Sequence, residues 1–382
     1  MANLLYITNV AGKRMSYSFS GSALEAAKSL NFVFFAGANR AQATADDMKC
    51  DEEKYGIHML HIPICRSPYS YQNIKAYKQL CNIIRDNKID YIHCNTPVGG
   101  LLGRLAGKKC GVKKVIYQAH GFHFYKGAPK RNWLLYYPVE KWLARYTDAL
   151  ITINQEDYEL AQKNFRLRNN GNVYYVPGVG IDTTQYASDD AVRQRKRKDL
   201  DVNNESVFLI SMGDLNKNKS YATAIRAVAA ANNPNLHYFI CGTGPEENTL
   251  KKLAKKLGVF SQVHFLGFRS DIKELLCASD IFLFTSRREG LSRSMMEAMA
   301  SGLPCIASRI RGNTDLLEGI DGGFLCQTND FADYADKINR LAGDETLRKR
   351  MGDNNRIAIR KFSMDTVVDS IKDIYELEFQ EE

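Results

Sequence analysis

DIFLFTSRREGLSRSMMEAMASGLP, Asp280 to Pro304, decides how this chain is read. Its opening, Asp280 to Phe284, is a short apolar run of the kind that forms a strand buried on both faces. A charged loop follows, and from Ser294 the apolar residues recur at helical spacing. Strand, loop and helix in that order make the repeating unit of a doubly wound parallel sheet. Two glutamates, Glu289 in the loop and Glu297 on the helix, stand eight positions apart, among Arg287, Arg288, Ser292 and Arg293.

The same alternation runs nearly end to end. In the first half strands are expected at Leu4–Thr8, Phe32–Ala36, His58–Ile62, Tyr91–Cys94, Lys114–Gln118, Ala149–Ile153 and Val173–Val176. Helical spacing falls between them, as over Ile74–Asp86 and Val139–Tyr146. The second half repeats the scheme near Val207–Met212, His237–Cys241, Gln262–Phe265, Asp280–Phe284 and Pro304–Ser308. VPGVGIDTTQY, Val176 to Tyr186, is the expected linker, rich in Gly and Pro and close to the midpoint. Ser188 to Glu205 reads as an exposed helix and loop, and Ser363 to Glu382 as the last helix. Two domains result, 1–180 and 181–362, which suits 382 residues better than a single core.

Composition narrows the class. Apolar content of 45% and charged content of 25% are those of a folded globular protein. No run is long and apolar enough to predict a membrane span. MANLLYITNV lacks the basic start of a signal peptide and alternates like a first strand. The nine cysteines form no C-x-x-C pair, so no metal site is expected and a reducing cytoplasm suits them. A net charge of +9 favours anionic partners, against the plain alternative of a solvating surface. No base-reading module is present, so nucleic acid is not among the expected partners.

Several loops after strands carry candidate ligand groups. A loop carboxylate such as Glu289 can hold hydroxyl groups, and free amides at a helix start suit phosphate. A nucleotide-sugar offers both. The plain alternative for Glu297 is a capping box with Ser294. In MGDLNKNKSYATAIRAVAAA, Met212 to Ala231, a strand ends near Gly213 and Lys219 precedes a helix for which Ser220 is the expected cap. Lysines there oppose the helix dipole unless an anion joins them. Gly242-Thr243-Gly244 in CGTGPEENTLKKLAKKLG reads as a tight turn. In VIYQAHGFHFYKGAP, Val115 to Pro129, His120 sits just past a strand, where open α/β sheets bind ligands and where an imidazole can titrate near neutrality. Asn9 to Gly12 and Cys94 to Gly100 follow two other strands.

These motifs together resemble the two-domain GT-B glycosyltransferases of family 4, whose signature is E-x7-E. The resemblance implies two Rossmann-like domains facing across a cleft, with the last helix crossing back to the first domain. It assigns catalytic roles to His120 and Glu289. It implies donor contacts from Gly12, Gly213, Lys219, Arg269, Gly290, Leu291, Ser292, Arg293 and Glu297, with Glu289 on sugar hydroxyls, Glu297 on the ribose and Lys219 on the diphosphate. Arg293 is also readable as a plain solvent-facing arginine. The chain departs from the family in two places. Asp214 replaces the arginine that pairs with the lysine, leaving Lys217 or Arg293 to complete the phosphate clamp, and Ser292 replaces a glycine.

The resemblance further implies retaining transfer of a hexose from a nucleotide-sugar, expected to be UDP-linked, without metal or other cofactor. The implied acceptor is a lipid-linked saccharide of cell-surface polysaccharide synthesis. PKRNWLLYYPVEKWLARYTD, Pro129 to Asp148, interleaves both tryptophans with Lys130, Arg131, Lys141 and Arg145, which suits an anionic membrane surface, or else packs into the core. Cytoplasmic placement at the inner membrane face follows. The competing functions are a UDP-sugar 2-epimerase of the same fold and a catalytically silent partner in an assembly complex.

Overall fold

The computed structural model describes residues 2–10, 20–39, 42–186, 188–203 and 205–379. It divides into two compact units, Met1–Gly180 with Met364–Glu382, and Ile181–Ser363.

The first unit has seven strands: β1 (Asn3–Ile7), β2 (Phe32–Gly37), β3 (Ile57–His61), β4 (Tyr91–Asn95), β5 (Lys114–Ala119), β6 (Ala149–Thr152) and β7 (Asn172–Tyr175). Between them run α1 (Gly21–Ala26), α2 (Ala45–Tyr55), α3 (Gln72–Asp86), α4 (Pro97–Cys110), α5 (Lys130–Leu143) and α6 (Gln155–Asn164). All strand pairs are parallel, in the order β3-β2-β1-β4-β5-β6-β7. Winding reverses between β1 and β4, and the loops leaving those two strands therefore diverge at a topological switch point.

The second unit opens with α7 (Asp190–Asp199) and continues β8 (Val207–Met212), α8 (Tyr221–Ala231), β9 (Leu236–Cys241), α9 (Glu247–Lys256), β10 (Val263–Gly267) and α10 (Ile272–Ala278). It is completed by β11 (Ile281–Phe284), α11 (Arg293–Ala300), β12 (Cys305–Ser308), α12 (Asn313–Leu317), β13 (Gly323–Cys326), α13 (Phe331–Ala342) and α14 (Glu345–Ala358). Its parallel sheet, β10-β9-β8-β11-β12-β13, reverses between β8 and β11. Every residue of β8, β11 and β12 is buried, as helices on both faces of a parallel sheet require.

Helix α15 (Met364–Glu378) belongs to the first unit, where Val367, Val368, Ile371, Ile374 and Tyr375 share a core cluster with Leu24 of α1 and Phe35 of β2. Truncating one such buried aliphatic side chain to alanine costs about 2–5 kcal/mol.

Three features depart from the sequence-based expectation. Strand β13 was not expected: it is four residues long and begins at Gly323, so no alternation marks it. Helix α5 starts at Lys130, nine residues ahead of Val139, and runs through Pro138. Pro138 has no N–H for the carbonyl one turn back, which makes the segment read as a boundary. Packing of Trp133 and Tyr137 on Phe124 and of Tyr137 on Phe165 holds the extra turns in place. The basic stretch around α7 is not simply exposed. Arg197 is buried, donating to the Ala278, Asn203 and Ser206 carbonyls and pairing with Asp280.

Candidate active site

The second unit gathers its charged residues at its switch point. The loop leaving β8, Gly213 to Ser220, and the loop leaving β11, Thr285 to Ser292, are stitched together by backbone and amide bonds. Arg287 N donates to the Asn218 carbonyl at 2.8 Å, Asn218 Nδ2 to the Arg288 carbonyl at 2.9 Å, and Thr285 Oγ1 to the Lys219 carbonyl at 3.0 Å. The result is an ion pair between the two motifs, Lys219 Nζ to Glu289 Oε1, at 2.8 Å. Both side chains are largely but not wholly covered. The Lys219 ammonium also lies over the Phe284 ring, 5.0 Å from its centroid. A pair so placed holds one cation and one carboxylate in fixed register, ready for a ligand that carries both phosphate and hydroxyl groups.

Glycines make this closeness possible. Gly213 leaves β8 at φ 138°, and a Cβ there would stand 3.2 Å from Lys219 Cε. A Cβ on Gly242 would meet the Gly213 carbonyl oxygen at 2.1 Å, and one on Gly244 the Leu215 carbonyl at 2.5 Å. The G-x-G motif thus serves the approach of the β9–α9 turn to the β8 loop. Gly312, at φ 79°, lets its backbone reach the Gly290 carbonyl, where a Cβ would sit 2.2 Å away. Next to it, buried Arg311 donates from Nε to the Glu289 carbonyl at 3.2 Å. Arg311 and Asn218 went unnoticed in the sequence, although Arg311-Gly312-Asn313, separated from β12 by two residues, is the same strand-end signal that marked the other loops.

Glu297 does not cap α11. The cap is Ser292, whose Oγ accepts from Met295 N, so the helix begins two residues earlier than the Ser294 capping box requires. Glu297 Oε1 instead takes Arg293 Nε at 3.0 Å, one helical turn apart. It also meets the hydroxyl of Tyr186, whose pKa is raised by burial first and by the Glu297 charge second. Arg293 is therefore committed to Glu297 rather than pointing freely to solvent. Gly290 and Leu291 lie between the two glutamates, half-buried.

Ser220 occupies the cap position of α8 but makes no capping bond to the helix backbone; it sits at φ 52°, with Oγ against Thr223 Oγ1. Lys217 and Asp214 are exposed. Arg269 pairs with Asp271, Nε to Oδ1 at 2.7 Å, and beside it Phe268 is 83% exposed. That arginine holds Asp271 far below the ordinary carboxylate range.

In the first unit, the loops leaving β1 and β4 meet in a different way. Asn9 Oδ1 accepts from Gly99 N and Thr96 Oγ1, both at 2.8 Å. Thr96 adopts φ 62°, ψ 153°, a conformation that β-branched residues avoid and that concentrates at functional sites. Gly12 lies outside the described residues. His120 follows β5, and burial pushes its pKa down to about 4. It is neutral at physiological pH, which corrects the expectation of a group titrating near 7.

Helix α5 carries apolar side chains on its outer face. Leu134 is 76% exposed, Leu135 58% and Trp142 44%, alongside Tyr136 and Val139, whereas Trp133 packs against the core. No helix among the described residues is long and apolar enough to cross a membrane.

Comparison with known proteins matches this architecture. Residues 192–358 fit the family described as glycosyl transferases group 1, and residues 41–154 the one described as glycosyl transferase 4-like. The Bacillus subtilis (strain 168) protein EpsD, which carries the name of a glycosyltransferase, is 40% identical over 329 residues, 85% of this chain and 84% of its own. An Escherichia coli UDP-Gal:alpha-D-GlcNAc-diphosphoundecaprenol alpha-1,3-galactosyltransferase is 29% identical, covering 82% and 81%. HepE of Anabaena, solved in complex with UDP, superposes with a TM-score of 0.79 at 20% identity, over 99% of this chain and 100% of its own. The fold is of the GT-B type, and the chain belongs to the group 1 glycosyltransferases.

Proposed function

We propose that this glycosyltransferase moves a hexose from a UDP-sugar to a lipid-linked saccharide, with retention at the anomeric carbon and without metal. The observation that carries the reading is the Lys219–Glu289 pair at the switch point of the second sheet. Lys219 takes the diphosphate, neutralising the charge that grows on it as the sugar leaves. Glu289, released from that ammonium, accepts from sugar hydroxyls, and Glu297 from the ribose. Arg293 and Arg311, one helix turn from Glu297 and against the Glu289 carbonyl, supply positive charge where Asp214 cannot. With protein cations on the leaving group, no metal is required by the chemistry.

Glu289, paired with Lys219 and given over to sugar hydroxyls, is not assigned as a covalent nucleophile. Attack of the acceptor on the face that the phosphate leaves, with a phosphate oxygen taking the acceptor's proton, retains the configuration. His120 is a neutral hydrogen-bonding group for sugar hydroxyls, not a base. The relative named for a diphosphoundecaprenol acceptor supports a lipid-linked substrate. The exposed apolar side chains of α5, flanked by Lys130, Arg131, Lys141 and Arg145, support attachment to an anionic leaflet.

Thermal unfolding with UDP, GDP and ADP tests the donor half. UDP at about 100 times its dissociation constant should add about 2.7 kcal/mol of stability. The shift should vanish in Lys219→Met, and magnesium or EDTA should leave it unchanged. A shift with GDP or ADP alone would refute the UDP assignment, and none with any nucleotide would refute the donor site.

A further inference from the structure

One face of the first sheet carries a buried polar ladder that the reaction described above does not use. Register sets Tyr6 beside His93, and Asn95 beside Gln118. Side chains alternate along strands, so Thr8, His93, Asn95 and Gln118 share the face of Tyr6, and His120 follows two residues beyond Gln118. This is the face that α15 covers. The Tyr375 hydroxyl lies 2.6 Å from His93 Nδ1, with the two rings edge to face, and the Asn95 amide donates to the Tyr6 hydroxyl.

Thr8, His93, Asn95 and Gln118 are all buried. Nevertheless His93 Nε2, both ends of the Gln118 amide, Thr8 Oγ1 and Asn95 Oδ1 have no hydrogen-bond partner among the described residues. Buried polar groups are ordinarily satisfied, so this concentration on one face calls for a reason. Packing alone would be better served by apolar side chains. The groups also sense one another. Burial, and after it the charge that His120 would carry, hold His93 neutral with a pKa near 3, and the neighbouring Gln118 amide works against that shift.

We propose that Tyr375, His93 and Gln118 form a relay that sets the tautomer and orientation of the His120 ring, making the C-terminal helix a positioning element for that histidine. The inference rests on the reading of His120 as a residue that contacts sugar. The Tyr375 hydroxyl donates to His93 Nδ1. The ring proton then sits on Nε2 and is donated to the Gln118 carbonyl, directly or through one ordered water. The Gln118 NH2 group donates to the inward nitrogen of His120. The outward nitrogen consequently keeps the proton and presents a donor to a sugar oxygen. No proton moves along the chain; the relay decides which nitrogen holds it.

The test uses the full chain with 15N-labelled histidine, in Tyr375→Phe and in Gln118→Met. The His120 signals are assigned by their loss in His120→Asn. The wild type should show a single His120 tautomer, and both variants should move its ring 15N shifts toward a mixed-tautomer average. The kcat for UDP release from the sugar donor should fall about tenfold, with the donor KM within about twofold. The double variant should fall no further than the worse single one, because both act on one path. Unchanged His120 shifts in folded variants would overturn the relay, whether or not the melting temperature drops. Should Tyr375→Phe not fold, Gln118→Met decides alone. Full activity in His120→Asn would refute the sugar-contact reading instead, and the 15N shifts would still judge the relay.

Discussion

The two sheets reverse their winding at the same kind of point, yet they gather opposite chemistry there. Beyond β8, β11 and β12 stand Lys219, Glu289, Arg293, Glu297 and Arg311, charged and paired with one another or with a neighbouring loop. At the ends of β4 and β5 stand Asn95, Gln118 and His120, neutral, the first two buried and the histidine half-buried. A charged cluster at a partly wet strand end suits a ligand that brings its own charge, as a diphosphate does. A neutral, buried one can discriminate only by hydrogen-bond direction. The fold supplies the location twice, and the side chains decide what each location recognises.

The largest test of that contrast is Glu289→Gln, which keeps the shape and removes the charge. Turnover should fall roughly 10²–10³-fold, the scale of losing one group that acts in the transition state. It should lower the melting temperature only slightly, since the amide keeps the shape and can still accept from Lys219, and the pair retains contact with water. Steady-state kinetics with a UDP-sugar reads the outcome, and wild-type turnover would place the reacting sugar away from the charged loops.

A second, smaller effect concerns the outside of the first unit. Leu134→Asp with Trp142→Asp should weaken sedimentation with anionic vesicles at least about tenfold, because each exposed apolar side chain buried in lipid is worth about 1.5–3 kcal/mol. Secondary structure and UDP-induced stabilisation should persist. Equal sedimentation of wild type and variant would assign the apolar face of α5 to another partner.

The smallest effect separates the two strand ends by pH. His93 and His120 titrate near 3 and near 4 in the folded chain, below the ordinary imidazole value of about 6.5. Each therefore binds fewer protons folded than unfolded between those values, and stability rises with pH across that window. It is complete above about 6.5 and is lost on acidification by about 1.4 kcal/mol per pH unit for each ring. His120→Asn should flatten the decline in melting temperature between pH 6.5 and 4.5. Between pH 5 and 8 the rate should show no inflection belonging to His120.

How much of this could be read from residues alone follows the same divide. The strands were legible because fully buried runs such as Phe282 to Phe284 have no other reading, while β13 escaped because four residues starting with glycine carry no period. Glu289 and Lys219 were legible because a charge set just past an apolar run is conspicuous. Capping by Ser292 instead of Ser294 was not, since both serines satisfy the same local rule and only the helix start decides between them. The polar ladder was invisible for a deeper reason. Thr8, Asn95 and Gln118 each look like the polar end of a strand, and only parallel register across β1, β4 and β5 reveals that they form one row.

Helix α15 is the last element among the described residues and part of the core of the first unit. A ribosome delivers the chain from its N-terminus, so the sheet from β1 to β7 emerges long before Ile371, Ile374 and Tyr375 exist to cover it. The face that holds Tyr6, Phe35 and His93 must wait, shielded by chaperones or by α1 alone, until synthesis has passed through the whole second unit. Deleting residues 363–382 should thus act as a lesion of the first unit, and nascent chains should resist protease there only once α15 has emerged.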